Sequence, residues 1–262
     1  MDDNLNNWLI PTDTSQMLWS MQQLKNRSID SKDLSVSVYF RNIEDELIQK
    51  INQYPVVIGC VAWLTNKKIL EALSLKQFVS IVIQKEDFLR PDTGVWSGKK
   101  LRSLYEKLPP GVSYNCSNLS WSGNILDCLN YNYAWQSEPI RWVGNFNTDK
   151  KPAFPRMHNK FLVFCDIEVN TCTYQDLDEN GNPFQFQEDD GFIVIPKAVW
   201  TGSFNLTDNA TKSLENAVYL TDCDIVHAYY DEWEYIFALS ESIASEAWDK
   251  KWNPPTFFRL GT

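Results

Sequence analysis

The apolar run from Val56 to Leu64 is the feature that most constrains the fold of this 262-residue chain. Its nine residues are too few for a membrane-spanning helix, which needs roughly 18 or more. An uninterrupted apolar run of this length is typical of a strand buried on both faces. We therefore expect a central sheet covered on both sides, and no segment that crosses a bilayer.

Strand and helix patterns alternate around this run. Residues 35–40 alternate as a half-buried strand, and Asn42 precedes apolar residues at four-residue spacing, which predicts a capped helix. A second helix begins at Thr65, and Phe78–Ile83 predicts another strand. Further elements are a helix over 97–108, strands over 140–143, 161–164, 192–195 and 216–220, and a helix over 225–240. This order indicates an α/β fold with a mixed central sheet flanked by helices on both faces.

The net charge of −10 is concentrated in one segment. Eight acidic residues and no Lys or Arg lie between Asp166 and Asp190. Residues 141–160, by contrast, contain five basic residues and only Asp149. A groove for phosphates is compatible with this stretch, and a solvated basic loop accounts for it equally well. The candidate nucleic-acid contacts are Arg141, Lys150, Lys151 and Arg156.

The cysteines and histidines constrain the chemistry. Six cysteines form no Cys-x-x-Cys pair, and only His158 and His227 accompany them, so a zinc site of the usual ligands would be hard to assemble. We expect reduced thiols and no metal or other cofactor. The acidic N-terminus lacks the layout of a secretory signal, which favours the cytoplasm.

Polar residues suited to phosphoryl transfer occur in two short segments. His158 and Lys160 are two residues apart on a predicted strand and therefore share a face. Some forty residues later, Ser203 and Asn205 follow Gly202, which allows close backbone approach, and Glu215 comes next. An imidazole can attack phosphorus, ammonium and amide groups can neutralise the phosphate oxygens, and a carboxylate can fix the histidine tautomer.

This combination resembles the phospholipase D superfamily, whose signature is His-any-Lys, four residues, Asp, and then a Gly-Ser and an Asn. It is most similar to the small bacterial Nuc-type endonucleases, which carry one motif per chain and share the Thr-Gly-Ser-Phe-Asn run and a following Glu-Asn. The resemblance implies a role for each matching residue. His158 would be the nucleophile that forms a phosphohistidine, Lys160 and Asn205 would clamp phosphate oxygens, Ser203 would hydrogen-bond nearby, Glu215 would orient His158, and Gly202 would support the site.

One position departs from this signature. The Asp expected five residues after Lys160 is replaced by Cys165, and Asp166 follows one residue late. A one-residue slip on a strand moves a side chain to the opposite face. Either a β-bulge restores Asp166 as a supporting residue, or the site works without it.

The chemistry needs a second group to protonate the leaving oxygen while His158 attacks. The resemblance implies a homodimer in which each chain lends its histidine to a shared site. The alternative within one chain is His227, which the pattern places on the surface at the start of an amphipathic helix.

Two further features bear on substrate access. Trp142, Phe146, Phe154 and Trp200 are candidates for stacking on unpaired bases, with core packing as the alternative for each. The acidic segment contains an Asn-Gly turn and predicts a projecting hairpin. Because it is inserted between the two halves of the motif, we hypothesise that it overhangs the cleft and restrains entry of nucleic acid; a solvated loop is the alternative.

The expected organisation has three parts. Residues 1–30 form an N-terminal extension with an amphipathic helix through Met17, Leu18, Met21 and Leu24. Residues 31–250 form a phospholipase D-like catalytic domain with insertions at 85–138 and 166–198, and residues 251–262 form a tail. The insertions are candidate contacts for an additional protein partner.

The sequence therefore predicts a metal-independent phosphodiesterase, with a DNA endonuclease as the leading interpretation and RNA as the alternative substrate. Two further interpretations stay open: a phospholipase D-type lipid hydrolase and a catalytically inactive nucleic-acid-binding module. No basic amphipathic helix supports the lipid hydrolase. Binding alone would not require the whole set of five polar residues.

Overall fold

The computed structural model describes residues 5, 9–11, 18–20, 26–89, 96–114, 134–147 and 151–243. The strands, in chain order, are β1 (Leu9–Pro11), β2 (Leu18–Ser20), β3 (Ile29–Asp30), β4 (Val36–Tyr39), β5 (Val56–Val61), β6 (Phe78–Gln84), β7 (Gly111–Tyr114), β8 (Ala134–Ser137), β9 (Ile140–Val143), β10 (Lys160–Leu177), β11 (Pro183–Gly202), β12 (Ala217–Leu220) and β13 (Glu241–Ser242). The helices are α1 (Ile43–Gln53), α2 (Lys67–Leu73), α3 (Trp96–Tyr105) and α4 (Cys223–Leu239). In these ranges no helix combines the length and apolar content that a bilayer span demands.

A nine-stranded mixed sheet organises the chain. Its strand order is β13-β9-β6-β5-β10-β11-β12-β4-β3. The β9-β6-β5 group is parallel and the remaining neighbours are antiparallel. Helices α1, α2 and α3 pack into the core on one face, and α4 packs on the other. The predicted α/β fold with helices on both faces of a mixed sheet is confirmed.

Strand β5 lies at the centre of both cores. All six of its residues are buried, with Val57 and Val61 in the α1 core and Val56, Ile58 and Cys60 in the α4 core. This confirms that an unbroken apolar run marks a strand covered on both faces.

The helix starts differ in detail from the prediction. Asn42 precedes α1 in a left-handed conformation and caps nothing with its side chain, so the acidic first turn is left to complement the helix dipole. Helix α2 is capped by Asn66 rather than Thr65, because the Asn66 side chain accepts a hydrogen bond from the Ile69 amide.

The predicted N-terminal helix is wrong where the structure describes it. Leu18 lies in β2, which pairs antiparallel with β1. Periodicity over a short apolar window does not separate helix from strand, and the aromatic Trp19 favours the extended form. The rest of that segment, residues 115–133 of the first insertion and the predicted tail at 251–262 lie outside the described residues.

The predicted acidic hairpin is present as the far part of the β10–β11 ribbon. The two strands pair from Phe161 and Thr201 to Leu177 and Pro183, and Asp178 accepts hydrogen bonds from the Asn180 and Asn182 amides at the turn, both at 2.8 Å. We call residues 169–192 the outer arm, because β5 and β12 accompany the ribbon only over 160–165 and 199–202.

Candidate active site

Polar side chains gather at one edge of the sheet, where the parallel strands β5, β6 and β9 end. Strand β10 begins at this edge, since Lys160 pairs with Val61, and β11 ends there, since Gly202 pairs with Ala217. The carboxyl ends of parallel strands are the usual location of ligand sites in α/β sheets. Both halves of the sequence motif therefore lie at the edge where a site is expected.

His158 and Lys160 are in contact. The Lys160 Nζ lies 3.2 Å from His158 Nδ1 and 3.4 Å from Nε2, and it donates to the His158 carbonyl at 3.1 Å. The preceding loop is anchored by the Met157 amide, which donates to the side chain of Gln84 at 2.7 Å. The exposed imidazole is thus held beside an ammonium group on a fixed backbone.

The electrostatic surroundings favour a neutral imidazole. Partial burial, followed by the positive charges of Lys160 and Arg156, lowers the pKa of His158 below its ordinary value. Burial also lowers the pKa of Lys160, while the carboxylate of Glu215 acts in the opposite direction. Because only the neutral ring has a free nitrogen lone pair, these charges favour the nucleophilic form.

The second half of the motif is fixed by a close approach of β11 to residue 216. A Cβ at Gly202 would lie 2.3 Å from the Asn216 carbonyl oxygen, so only glycine fits. The Ser203 amide donates to that same carbonyl at 3.1 Å, and the Asn216 amide donates to Ser203 Oγ at 3.1 Å. The Ser203 hydroxyl in turn donates to Glu215 Oε2. Glycine at 202 therefore sets the positions of Ser203 and Glu215.

Asn205 carries an unsatisfied polar group. Its side-chain oxygen is buried and has no hydrogen-bond partner. The loop that holds it is fastened to the segment after β5, because the Leu206 amide donates to the Trp63 carbonyl at 3.1 Å and the Thr65 amide donates to the Leu206 carbonyl at 2.8 Å. Buried polar groups are nearly always paired, so this unpaired acceptor points to a ligand that donates a hydrogen bond, and Nδ2 of the same side chain is the atom that can donate to a phosphate oxygen.

A hydrogen-bonded group of four side chains lies next to His158. The Glu86 carboxylate accepts from Trp63 Nε1 at 3.0 Å and also binds the Arg156 guanidinium, which donates to Asn147 at 3.1 Å. The Trp63 and His158 rings meet edge to face, with centroids 5.6 Å apart. Glu86 thus holds both the indole and a cation against the imidazole.

An open cleft of about 550 Å³ adjoins these residues. Asn205 and Glu215 belong to its wall, together with two aromatic side chains, Trp63 and Phe88. The remaining lining residues are Thr65, Thr207, Asp208, Asn209, Ala210 and Ser213. Neither aromatic was selected from the sequence, although the position of Trp63 directly after a buried parallel strand is a signal that could have identified it.

Glu215 and His227 have partners other than His158. The described residues place no hydrogen bond between Glu215 and His158; the carboxylate accepts from Ser203. His227 Nδ1 donates to the Cys223 carbonyl at 2.8 Å within α4. His158 is therefore the histidine that this chain brings to the edge.

Asp166 does not join the site. A register shift does occur next to it, but the extra residue, Lys197, is on β11. Asp166 forms a long ion pair with Lys197 at 3.9 Å, and six residues along the strand separate it from Lys160, about 20 Å. Cys165, at the position of the Asp in the sequence signature, is fully buried in the α4 core.

The candidate nucleic-acid contacts separate into different environments. Arg141 is tied down, donating from Nε to Ser240 Oγ and from NH2 to the Ser240 carbonyl, both at 2.7 Å. Arg156 lies in the Glu86 group beside His158. Lys151 is exposed, and Lys150 lies outside the described residues.

Two of the aromatic candidates are core residues. Trp142 and Trp200 are buried, so they offer no face to a base. Phe146 packs against the core and Phe154 is exposed. Aromatic residues within strands favour the core, so core packing is the role of Trp142 and Trp200.

The hypothesis that the acidic hairpin overhangs the cleft of its own chain is wrong. The site lies where β10 begins and β11 ends, whereas the turn at Asp178–Asn182 lies at the opposite end of the ribbon. Seventeen residues along β10 correspond to about 55 Å. The reason is topological, since a hairpin's turn is always remote from its open end.

In the described ranges, no three His, Cys, Asp or Glu side chains are grouped closely enough to share a metal ion. No family model matches the sequence. Nuc from Salmonella typhimurium, a phospholipase D family member, is 18% identical, with 79% of this chain and 96% of that chain covered and a TM-score of 0.44. NucT from Helicobacter pylori is 11% identical, with 79% and 98% covered and a TM-score of 0.46.

A curated relative matches more of the sequence itself. Uncharacterized protein L381 of Acanthamoeba polyphaga mimivirus is 32% identical over 235 residues. The match covers 85% of this chain and 73% of the relative. The chain therefore belongs to the same family as L381.

Proposed function

We propose that this protein is a metal-independent phosphodiesterase of the phospholipase D superfamily, a DNA endonuclease that acts through a covalent phosphohistidine. The observation that carries the proposal is the contact between His158 and Lys160, at 3.2 Å, on the edge that also holds the side chain of Asn205. A neutral imidazole, a cation and an amide N–H together match what an attack on phosphorus requires.

In the first step, a ring nitrogen of His158 attacks the phosphorus of a diester. The bond to the leaving oxygen breaks, and that oxygen takes a proton from a second group. Lys160 and Asn205 neutralise the charge on the remaining phosphate oxygens. In the second step, water cleaves the phosphohistidine while the second group, now deprotonated, accepts a proton from that water.

Ser203 and Glu215 have supporting parts in this proposal. The Ser203 hydroxyl donates a hydrogen bond to Oε2 of Glu215. We propose that the second carboxylate oxygen, Oε1, accepts a hydrogen bond from the imidazole N–H of His158. That contact would fix the tautomer in which the other ring nitrogen attacks. Gly202 supports both residues through the close approach to Asn216.

The second group in the proposal is His158 of another copy of this chain. The sequence contains two histidines, and His227 is bound within α4. A homodimer with a shared site supplies the missing proton donor by symmetry. Size measurement by light scattering is expected to give a dimer, and mixed dimers of wild-type and His158→Gln chains are expected to have little activity. A fully active monomer would contradict the shared site.

The decisive experiment is a cleavage assay in excess EDTA with labelled single-stranded DNA, duplex DNA, RNA and headgroup-labelled phospholipid. His158→Gln is expected to lower the cleavage rate at least about 10³-fold, and His227→Gln, the matched control, to leave it unchanged. Denaturing the enzyme during turnover of a labelled substrate is expected to trap an acid-labile phosphate on the protein. Activity that EDTA abolishes, or that survives in His158→Gln, would refute the proposal.

A further inference from the structure

The cleft beside His158 has aromatic walls. Trp63 and Phe88 both belong to it, and 37% of the Phe88 surface is exposed, a large value for an apolar ring. Aromatic side chains that core packing does not require, placed at a cleft, are typical of sites that stack planar ligands. A cleft of about 550 Å³ is within the range that holds a ligand of nucleotide size.

Trp63 is held in place before any ligand arrives. Its Nε1–H is donated to Glu86, its carbonyl accepts from the Leu206 amide, and its ring contacts His158 edge to face. A fixed indole loses little conformational freedom on binding, which favours affinity. The fixed indole ring of Trp63 therefore lies in direct contact with the imidazole ring that is proposed to attack phosphorus.

The charges divide the site into two ends. Lys160 and Arg156 stand beside His158, where they act on its pKa. The cleft itself is lined by Asp208 and Glu215 together with neutral polar groups. A phosphate is drawn to the His158 end, where Asn205 and Glu215 border the cleft, and is repelled from the part of the cleft around Asp208, so that part suits the uncharged base of a nucleotide.

We propose that this cleft is a base-binding subsite, in which Trp63 and Phe88 stack on an unpaired base next to the phosphate that His158 attacks. This inference rests on the proposed function and specifies its substrate as single-stranded nucleic acid. Bases in a duplex are paired and stacked on their neighbours, so they reach such a platform only after costly unstacking. An acyl chain of a lipid is the competing occupant.

The test compares two oligonucleotides of equal length, one with all its bases and one abasic throughout. Trp63→Leu and Phe88→Leu keep apolar volume and remove the aromatic face. Each is expected to lower kcat/KM for the intact single strand by roughly 5- to 150-fold. Phe88→Leu, which changes the cleft and none of the described contacts of His158, is expected to leave cleavage of the abasic strand within about twofold. Wild type is expected to prefer the single strand over its duplex at least about tenfold.

The matched control is Tyr174→Leu, which removes an exposed aromatic ring from the outer arm. This variant is expected to have the wild-type kcat/KM on both the intact and the abasic strand. Equal losses on intact and abasic strands in Phe88→Leu would overturn the inference, as would equal cleavage of duplex. Preferential hydrolysis of phosphatidylcholine vesicles that falls in Trp63→Leu would assign the cleft to an acyl chain instead.

A binding measurement separates this inference from the proposed chemistry. Fluorescence anisotropy of a labelled oligothymidylate with His158→Gln protein reports the subsite without cleavage. Trp63→Leu, combined with His158→Gln, is expected to raise the Kd by the same roughly 5- to 150-fold. If binding depends on Trp63 but the wild-type protein cleaves nothing, the subsite is retained and the proposed nuclease is refuted. If wild type cleaves and binding does not depend on Trp63, the nuclease is retained and the subsite is refuted.

Discussion

The inner and outer parts of the β10–β11 ribbon share one ladder of hydrogen bonds and differ in what covers them. Leu162, Val163 and Phe164 in the inner part are fully buried between α1 and α4. In the outer arm, Val169 is 63% exposed and Leu177 is 62% exposed. Paired strands therefore persist without a core, whereas the candidate active site lies at the end where the core fixes the backbone.

The outer arm has its own local contacts. Tyr174 stacks on Phe186, and Phe184 packs against Phe186, with ring centroids 5.7 Å apart in both pairs. Such aromatic pairs stabilise a two-stranded ribbon by a fraction of what a core supplies. The site end is consequently rigid through packing, and the arm through pairing alone.

A pair of glycines gives the largest expected contrast between the two ends. Gly202→Ala places a methyl 2.3 Å from the Asn216 carbonyl oxygen, so β11 and residue 216 must separate. We expect a loss of about 3 kcal/mol or more in the free energy of unfolding, measured in urea, and loss of activity. Gly181→Ala at the turn, where φ is +79° and space is open, is expected to cost about 1–2 kcal/mol from backbone strain. Equal costs would contradict this contrast.

The next contrast is between a buried carboxyl group in α4, Glu234, and an exposed one next to the arm, Glu168. Burial, with a contribution from Asp231, raises the pKa of Glu234 in α4 to about 8. The folded state thus holds a proton between pH 4.5 and about 8 that the unfolded state releases, so stability falls as pH rises through this window, by up to about 1.4 kcal/mol per pH unit. Glu234→Gln is expected to remove this slope from urea titrations at several pH values. Glu168→Gln, at an exposed position next to the arm, is expected to preserve it.

Arg156→Gln tests the charges around the nucleophile. Loss of the cation favours protonation of the ring, so the pKa of His158 is expected to rise, and the acid limb of the activity profile to move to higher pH. Proton NMR of the ring, assigned with His227→Gln, measures the shift directly. Lys197→Gln in the ribbon is the control and is expected to leave that pKa unchanged. A downward shift would contradict the assigned cause.

The smallest effect is expected from shortening the outer arm. Replacement of residues 171–189 by an Asn-Gly turn removes most of the acidic charge and no contact of the site. Cleavage in the EDTA assay is expected to stay within about twofold of wild type. A large gain in cleavage would mean that the arm restrains substrate after all, in this case from a neighbouring chain.

Local sequence patterns predicted those elements whose structure depends on a single short segment of the chain. The apolar run at β5 and the Asn-Gly turn of the arm each specify their structure within a few residues. The site required the pairing of β10 with β11, so the sequence motif indicated residues that lie at one edge of the sheet but not the hydrogen-bond partner of each. Ser203 binding Glu215 and Arg141 binding Ser240 both depend on tertiary contacts between distant segments.

The two register shifts in the ribbon determine which changes in chain length it can accept. Each adds one residue to β11, and the one at Lys197 explains why Val194 and Val199, an odd number of residues apart, both lie in the α4 core. Deleting Lys197 would move every side chain from residue 198 to Gly202 to the opposite face of the sheet. Removing one cross-strand pair from the arm, by contrast, leaves the rest of the ribbon in register. Natural insertions and deletions in this family should therefore be found in matched pairs along the arm, and not at residue 197.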